Sequence, residues 1–372
     1  MSERRNKHPF HIYETIMGAP EKLQEWLGDN SRAKVRSVAE EIRRLKPKKI
    51  FIAGTGGSYM AAMAESFAFN EIVGIPSSFF VTAELRAYPP LDFCAGNLLI
   101  INTHSGKSPG DVAMAELARE RGVFTIGVTD IDGTPFTKSV DALLIGRDGP
   151  KFEMPATRTY SSAIFRTTLL AVECAKKQAS LYRAREFERQ LKLIPEMMRS
   201  HLDDLDKKAS GVVDSIHGSS AYFIISAGTN MSTAIDGAMG MTQGTGMPTA
   251  GYHVDEYLHG PIQSLKKGRC VVTIASPGPF HEKLWRFAEV AKNIGAKVLM
   301  IAPEGSDAVG HGDVSVTLPS GIDELLTPPL YSAPFWLIGY YASLKNGLDP
   351  DTLSMELQEF KSSGLADMKK YF

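Results

Sequence analysis

The chain has 372 residues, of which 43% are hydrophobic and 22% charged, enough to bury the cores of two or three domains of a soluble globular protein. Its 41 basic and 42 acidic side chains give a formal net charge of -1, which excludes a global field for nucleic acid, an anionic membrane or acidic partners, so any bound anion must be held locally. Cys94, Cys174 and Cys270 are odd in number and widely spaced, which fits buried free thiols in a reducing compartment; with a polar start and no run of eighteen apolar residues, the expectation is a cytoplasmic chain.

In chain order, residues 11–46 read as an N-terminal helical arm within a segment 1–46. KKIFIAG, NLLIINT, VFTIGVT and DALLIG follow, β-branched-rich runs suited to strands buried on both faces, with YMAAMAESFAFNEIVG and DVAMAELARERG at helical spacing between them. A charged amphipathic stretch over 179–216 leads to AYFIIS, CVVTIAS, AKVLMIA and VSVTL, with WRFAEVAKNIG as a helix among them. Alternating strands and helices predict α/β architecture: two tandem doubly wound parallel sheets, over 47–200 and 201–346, and a polar tail over 347–372.

The two halves are copies. At an offset of 172, Gly56 meets Gly228, Ala62 meets Ala234, Gly74 meets Gly246, Pro76 meets Pro248, Glu84 meets Glu256 and Pro89 meets Pro261. The register runs on through Gly96 with Gly268 and Gly106 with Gly278, and after one insertion Gly122 meets Gly295. Matches at Gly and Pro impose backbone geometry, so they indicate a duplicated domain.

Ligands of such sheets bind beyond the carboxyl ends of the strands. In the first copy GTGGSYM supplies glycines and the Ser58 hydroxyl at a helix start, and THSGKSPGD supplies Thr103, Ser105 and Ser108, with Gly106 for the turn, Pro109 to open a helix that Ser108 caps, and Lys107 for charge. The pair predicts a site for one phosphate dianion. The third glycine of a dinucleotide fingerprint is missing and no P-loop occurs. His253 and His259 are six apart, the wrong spacing for a shared metal on one helical face, so no metal or cofactor is expected. In the second copy ASPGPF replaces THSGKS and Asn230 replaces Ser58, while His259 stands opposite Ala87. One half thus holds phosphate and the other carries titratable groups, and His259 reads either as a proton shuttle or as a polar residue at a helix end.

GTGGSY, THSGKS and DEYLHGP over a duplicated α/β unit resemble the SIS (sugar isomerase) family, in particular the isomerase half of glutamine:fructose-6-phosphate aminotransferase and the fructosamine 6-phosphate deglycases. The resemblance implies phosphate binding by Gly57, Ser58, Thr103, His104, Ser105 and Ser108, and sugar contacts from Met154 and Ala156 in MPATRTY. It implies that His259 opens the sugar ring from a neighbouring subunit, hence a homodimer, and it makes Lys361 the nearest candidate for a lysine that closes over substrate. The family's isomerisation base, a glutamate sixteen residues before that histidine, is here Gln243, and an amide is no general base. Three alternatives follow: Asp236, Glu256 or Asp255 replaces it, the substrate is one from which no carbon-bound proton has to move, or the chain is a binding protein. The expected function is processing of a phosphorylated amino sugar or fructosamine 6-phosphate, as a deglycase, deaminase or aldose-ketose isomerase; the alternative is a catalytically silent sugar-phosphate sensor.

Overall fold

The computed structural model describes residues 4–146, 153, 155–176, 181–353 and 357–365. These form two compact units, one from the described residues of 20–151 and 158–195, the other from those of 4–19, 152–157 and 196–365.

In the first unit β1 (Ile50–Gly54), β2 (Ser77–Val81), β3 (Leu98–Asn102), β4 (Phe124–Thr129) and β5 (Ala142–Ile145) make a parallel sheet in the order β2-β1-β3-β4-β5. Every residue of β1 and β3 is buried, as their unbroken apolar runs require. On one face Phe51, Leu99 and Ile101 pack with Leu85, Phe93, Met114 and Ala118. Elsewhere in the unit the helices Gly57–Ala68, Arg158–Ala175 and Asp29–Leu45 pack on one another. The small residues of the first of these let it come close: a methyl on Gly54 would overlap the Ser58 backbone.

The second unit repeats the design with β6 (Tyr222–Ser226), β7 (Thr249–His253), β8 (Cys270–Ile274), β9 (Lys297–Pro303) and β10 (Val314–Leu318), ordered β7-β6-β8-β9-β10. The repeat extends to the ladder register. Ile50 faces Ser77 and Leu98, and Tyr222 faces Thr249 and Cys270, each exactly matched by the offset of 172. Leu98 faces Phe124 and Cys270 faces Lys297, which places the inserted residue between the third and fourth strands of the copy.

Two expectations change. Each sheet has a fifth strand, β2 or β7, beyond the four apolar runs of each copy. SSFFV and TAGYH are edge strands of only partly buried residues, so they lack the continuous hydrophobicity that marks the central ones. Cys174 and Cys270 are buried thiols, but Cys94 is exposed, because it lies in the loop before β3. Among the described residues no helix is long and apolar enough to cross a membrane.

Candidate functional site

The strand order reverses between β1 and β3, the switch point beyond which ligands of doubly wound sheets bind. The loop after β1 turns at Gly56, whose φ of 59° suits glycine, and a methyl there would meet nothing within 4 Å. Gly57 opens the helix Gly57–Ala68, and Ser58 stands in its first turn with its side chain partly exposed. After β3, Gly106 turns with φ 62° against Thr134, and Ser105 Oγ accepts from the Lys107 amide at 3.3 Å. Ser108 Oγ accepts from the Asp111 amide at 3.4 Å and caps the helix Pro109–Glu120, with Pro109 at its first position. Gly57, Ser58, His104, Ser105 and Ser108 are thus partly exposed on one pair of loops, whereas Thr103 is only 7% exposed and its hydroxyl is engaged by Asp111, whose carboxyl burial pushes upward.

His104 is built in more deeply than its neighbours. Its Nδ1 lies 2.9 Å from Asp130 Oδ2, and Asp130 Oδ1 accepts from the Arg166 guanidinium at 2.5 Å; both of those side chains are 1% exposed. Burial pushes the Asp130 carboxyl up, but Arg166 and His104 outweigh it and hold it below the usual carboxylate range. The ion pair fills the space over Gly146, where any side chain would collide with Arg166 Nη1 and Asp130 Oδ1. The Arg166 guanidinium also lies 5.7 Å from the centre of the Trp26 ring. Nδ1 is therefore tied down by a fixed charge pair, which leaves Nε2 as the imidazole nitrogen available to a ligand.

Sequence reasoning missed Asp130 and Arg166, and it missed Glu65. That carboxylate is fully buried on the helix that carries Ser58, accepts from Asn102 Nδ2 at 2.8 Å, and is pushed by burial up to about 7 against the lowering pull of Asn102, Thr167 and Arg166. The only sequence signal was an acidic residue inside an otherwise small and apolar helical run.

In the second unit, Asp236 and Gln243 are two turns apart on one face of the helix Met231–Thr245. Both line a cleft of about 390 Å³, open mouth included, together with Ala156, Trp336 and Tyr340. Asp236 is 4% exposed. The Gln243 Oε1 is buried and accepts no hydrogen bond among the described residues. Met154 lies outside the described residues. Lys361 is exposed on the short helix Gln358–Lys361 and is not part of the cleft wall.

His259 and Glu256 are exposed and stand apart from that cleft, at the short helix Val254–Leu258 that follows β7. His259 ends this helix, and its Nδ1 lies 2.7 Å from the Asp255 carbonyl. A carbonyl can only accept, so Nδ1 carries the proton and Nε2 presents a lone pair to solvent. The helix-end contact and the proton-accepting face therefore coexist on one ring. The Asp255 carboxylate is taken by the Lys283 ammonium, which lowers it, and His253 Nδ1 accepts from the Asp255 amide at 3.2 Å.

The architecture is a duplicated, doubly wound parallel α/β sandwich with a hydroxyl-lined loop pair at one switch point. The SIS domain pattern matches residues 45–173 and 215–345, and the chain belongs to the SIS domain family. Over 347 residues it is 28% identical to a glutamine--fructose-6-phosphate aminotransferase [isomerizing] of Thermococcus kodakarensis, covering 92% of this chain and 56% of that protein. It is 29% identical over 307 residues to the protein of the same name from Gloeobacter violaceus, covering 82% and 50%. The chain thus spans about half the length of these relatives. In structure it is similar to the C-terminal domain of glucosamine-fructose-6-phosphate aminotransferase from Francisella tularensis, with a TM-score of 0.81, 17% identity and coverage of 93% and 99%. It also resembles tagatose-6-phosphate ketose/aldose isomerase from Escherichia coli, with a TM-score of 0.76, 19% identity and coverage of 92% and 95%.

Proposed function

We propose that the chain processes a sugar 6-phosphate that carries an amine, an amino-sugar 6-phosphate or a fructosamine 6-phosphate, as a deglycase, deaminase or aldose-ketose isomerase. The names of its relatives, an aminotransferase and a ketose/aldose isomerase of sugar phosphates, support this substrate class. In this reading Gly57, Ser58, His104, Ser105 and Ser108 take the phosphate, with Thr103 fixing the loop behind them. His259 accepts a proton at Nε2 to open the sugar ring, acting on a neighbouring copy in a homodimer, and Ala156 contacts the sugar.

The observation that carries an enzyme over a silent sensor is Asp236. Gln243 cannot act as a base, but a buried carboxylate stands on the same helical face and lines the same cleft, which supports Asp236 as its replacement. The test is release of free amine, or isomer interconversion, from glucosamine 6-phosphate and fructosamine 6-phosphates. Asp236→Asn is expected to lower kcat by about 10²-fold or more with little change in KM. No turnover on any of these compounds, together with a phosphosugar-induced rise in Tm, would instead support the sensor that Gln243 suggests.

A further inference from the structure

The second copy keeps glycines of positive φ at both turns of the first copy's loop pair, with the angle matched at the first turn and not at the second, where Gly106 has φ 62°. Gly228, opposite Gly56, has φ 58° against 59°, and Gly278, opposite Gly106, also has a positive φ, 125°. The space at the first of these turns differs, while the second is filled in both copies, by Thr134 at Gly106 and by Glu324 at Gly278. A methyl on Gly56 would meet nothing within 4 Å, whereas a methyl on Gly228 would run into Glu324 Oε1 and one on Gly278 into Glu324 Oε2. The carboxylate of Glu324 therefore bridges the two glycine turns, one oxygen to each.

Its segment is anchored on the same loop. Thr229 Oγ1 donates to the Glu324 carbonyl at 2.9 Å, Asn230 Nδ2 donates to Thr327 Oγ1 at 2.7 Å, and Thr327 Oγ1 donates to the Glu324 carbonyl at 2.7 Å. Asn230 is the residue that replaced Ser58, so the position that offers a free hydroxyl in the first copy is spent in the second on holding the 323–327 segment. No cation pairs with the Glu324 carboxylate among the described residues. Burial raises it more than the Thr229 amide lowers it, so removing it would empty a cradle rather than strand an ionic partner.

We propose that the second repeat retains an oxyanion cradle whose resident anion is Glu324: a carboxylate of the chain itself occupies the place that the first repeat leaves open, and the cradle takes inorganic phosphate or a phosphate monoester once that side chain is removed. The open turn at Gly56 and its counterpart at Gly228, which is filled by a carboxylate shared with Gly278, carry the inference; at Gly106 the Thr134 side chain stands where Glu324 stands at Gly278. It rests on the proposed phosphate role of the first repeat only in the choice of probe.

The experiment is equilibrium dialysis of the full chain against radiolabelled inorganic phosphate. Wild type is expected to bind one equivalent and Glu324→Ala two. Glu324→Ala that folds, by circular dichroism, yet binds no more than wild type would overturn the inference while leaving the first site standing. Wild type binding none and Glu324→Ala binding one would uphold it and remove the first repeat's role instead. A second readout does not depend on the truncated variant folding. Gly228→Ala in the otherwise native chain must expel the carboxylate, so its Tm should fall further than that of Gly56→Ala, whose φ is nearly the same and whose surroundings are empty. Equal decreases would overturn the inference.

Discussion

The two repeats share strand order, ladder register and turn glycines, yet they do opposite things with charge between their loops. The first leaves Gly56 open and braces His104 from behind with the buried Asp130–Arg166 pair; the second closes over Gly228 and Gly278 with Glu324. Duplication thus preserved the backbone frame, while a few side chains decided which glycine turn stays open and which is filled by a carboxylate. The lesson is that equivalent turns do not imply equivalent sites, because occupancy is set by residues far away in sequence.

The comparison breaks most severely at the charge pair. Asp130→Ala leaves the Arg166 guanidinium buried without its partner, and a loss of about 3–5 kcal/mol is expected in urea unfolding. In any variant that still folds, phosphosugar affinity should fall as well, because His104 loses its tether; unchanged affinity would reduce the pair to a purely structural role.

Glu65→Gln tests the same half from the other side. With its carboxyl pushed from 4.5 to about 7, the folded chain holds more protons than the unfolded one between those values. This stability is fully present below about pH 4.5 and is lost as pH rises through 7. The glutamine variant should therefore gain up to about 3 kcal/mol over wild type at pH 8 and little at pH 4, measured as the difference in unfolding free energy. A gain that is independent of pH would contradict it.

Smaller effects sharpen the contrast between the loops. Gly56→Ala should cost about 1–3 kcal/mol, because φ 59° with ψ -131° is a backbone region that favours glycine, and Gly228→Ala about 1–2 kcal/mol more, since the carboxylate must also move. Ser108→Ala should cost about 1 kcal/mol through loss of the cap, read as a lower urea midpoint, and should weaken phosphate binding in addition if the hydroxyl serves both purposes.

Much of this was legible in the amino acids. The offset of 172 could be read because glycine and proline mark backbone conformation directly, and the inserted residue reappears as the shift in ladder register between the third and fourth strands. The central strands and the Ser108–Pro109 helix start were readable because burial on both faces and capping are local constraints on residue type. The edge strands β2 and β7 were not, since half-buried edges tolerate mixed composition. Among candidate site residues, Asp236 and Gln243 share a cleft because seven residues make two helical turns, a relation the sequence contains.

Tertiary structure alone decided the rest. Arg166 stands 36 residues from Asp130, and Glu324 stands 96 and 46 residues from Gly228 and Gly278, so nothing local announces either pairing. A buried charge takes its meaning from the group that desolvates or neutralises it, and chain folding selects that group. The repeat, its turns and the residue types at its loops belong to the sequence; which glycine turn a carboxylate fills, which histidine is braced and which carboxyl is pushed toward neutrality belong to the packing.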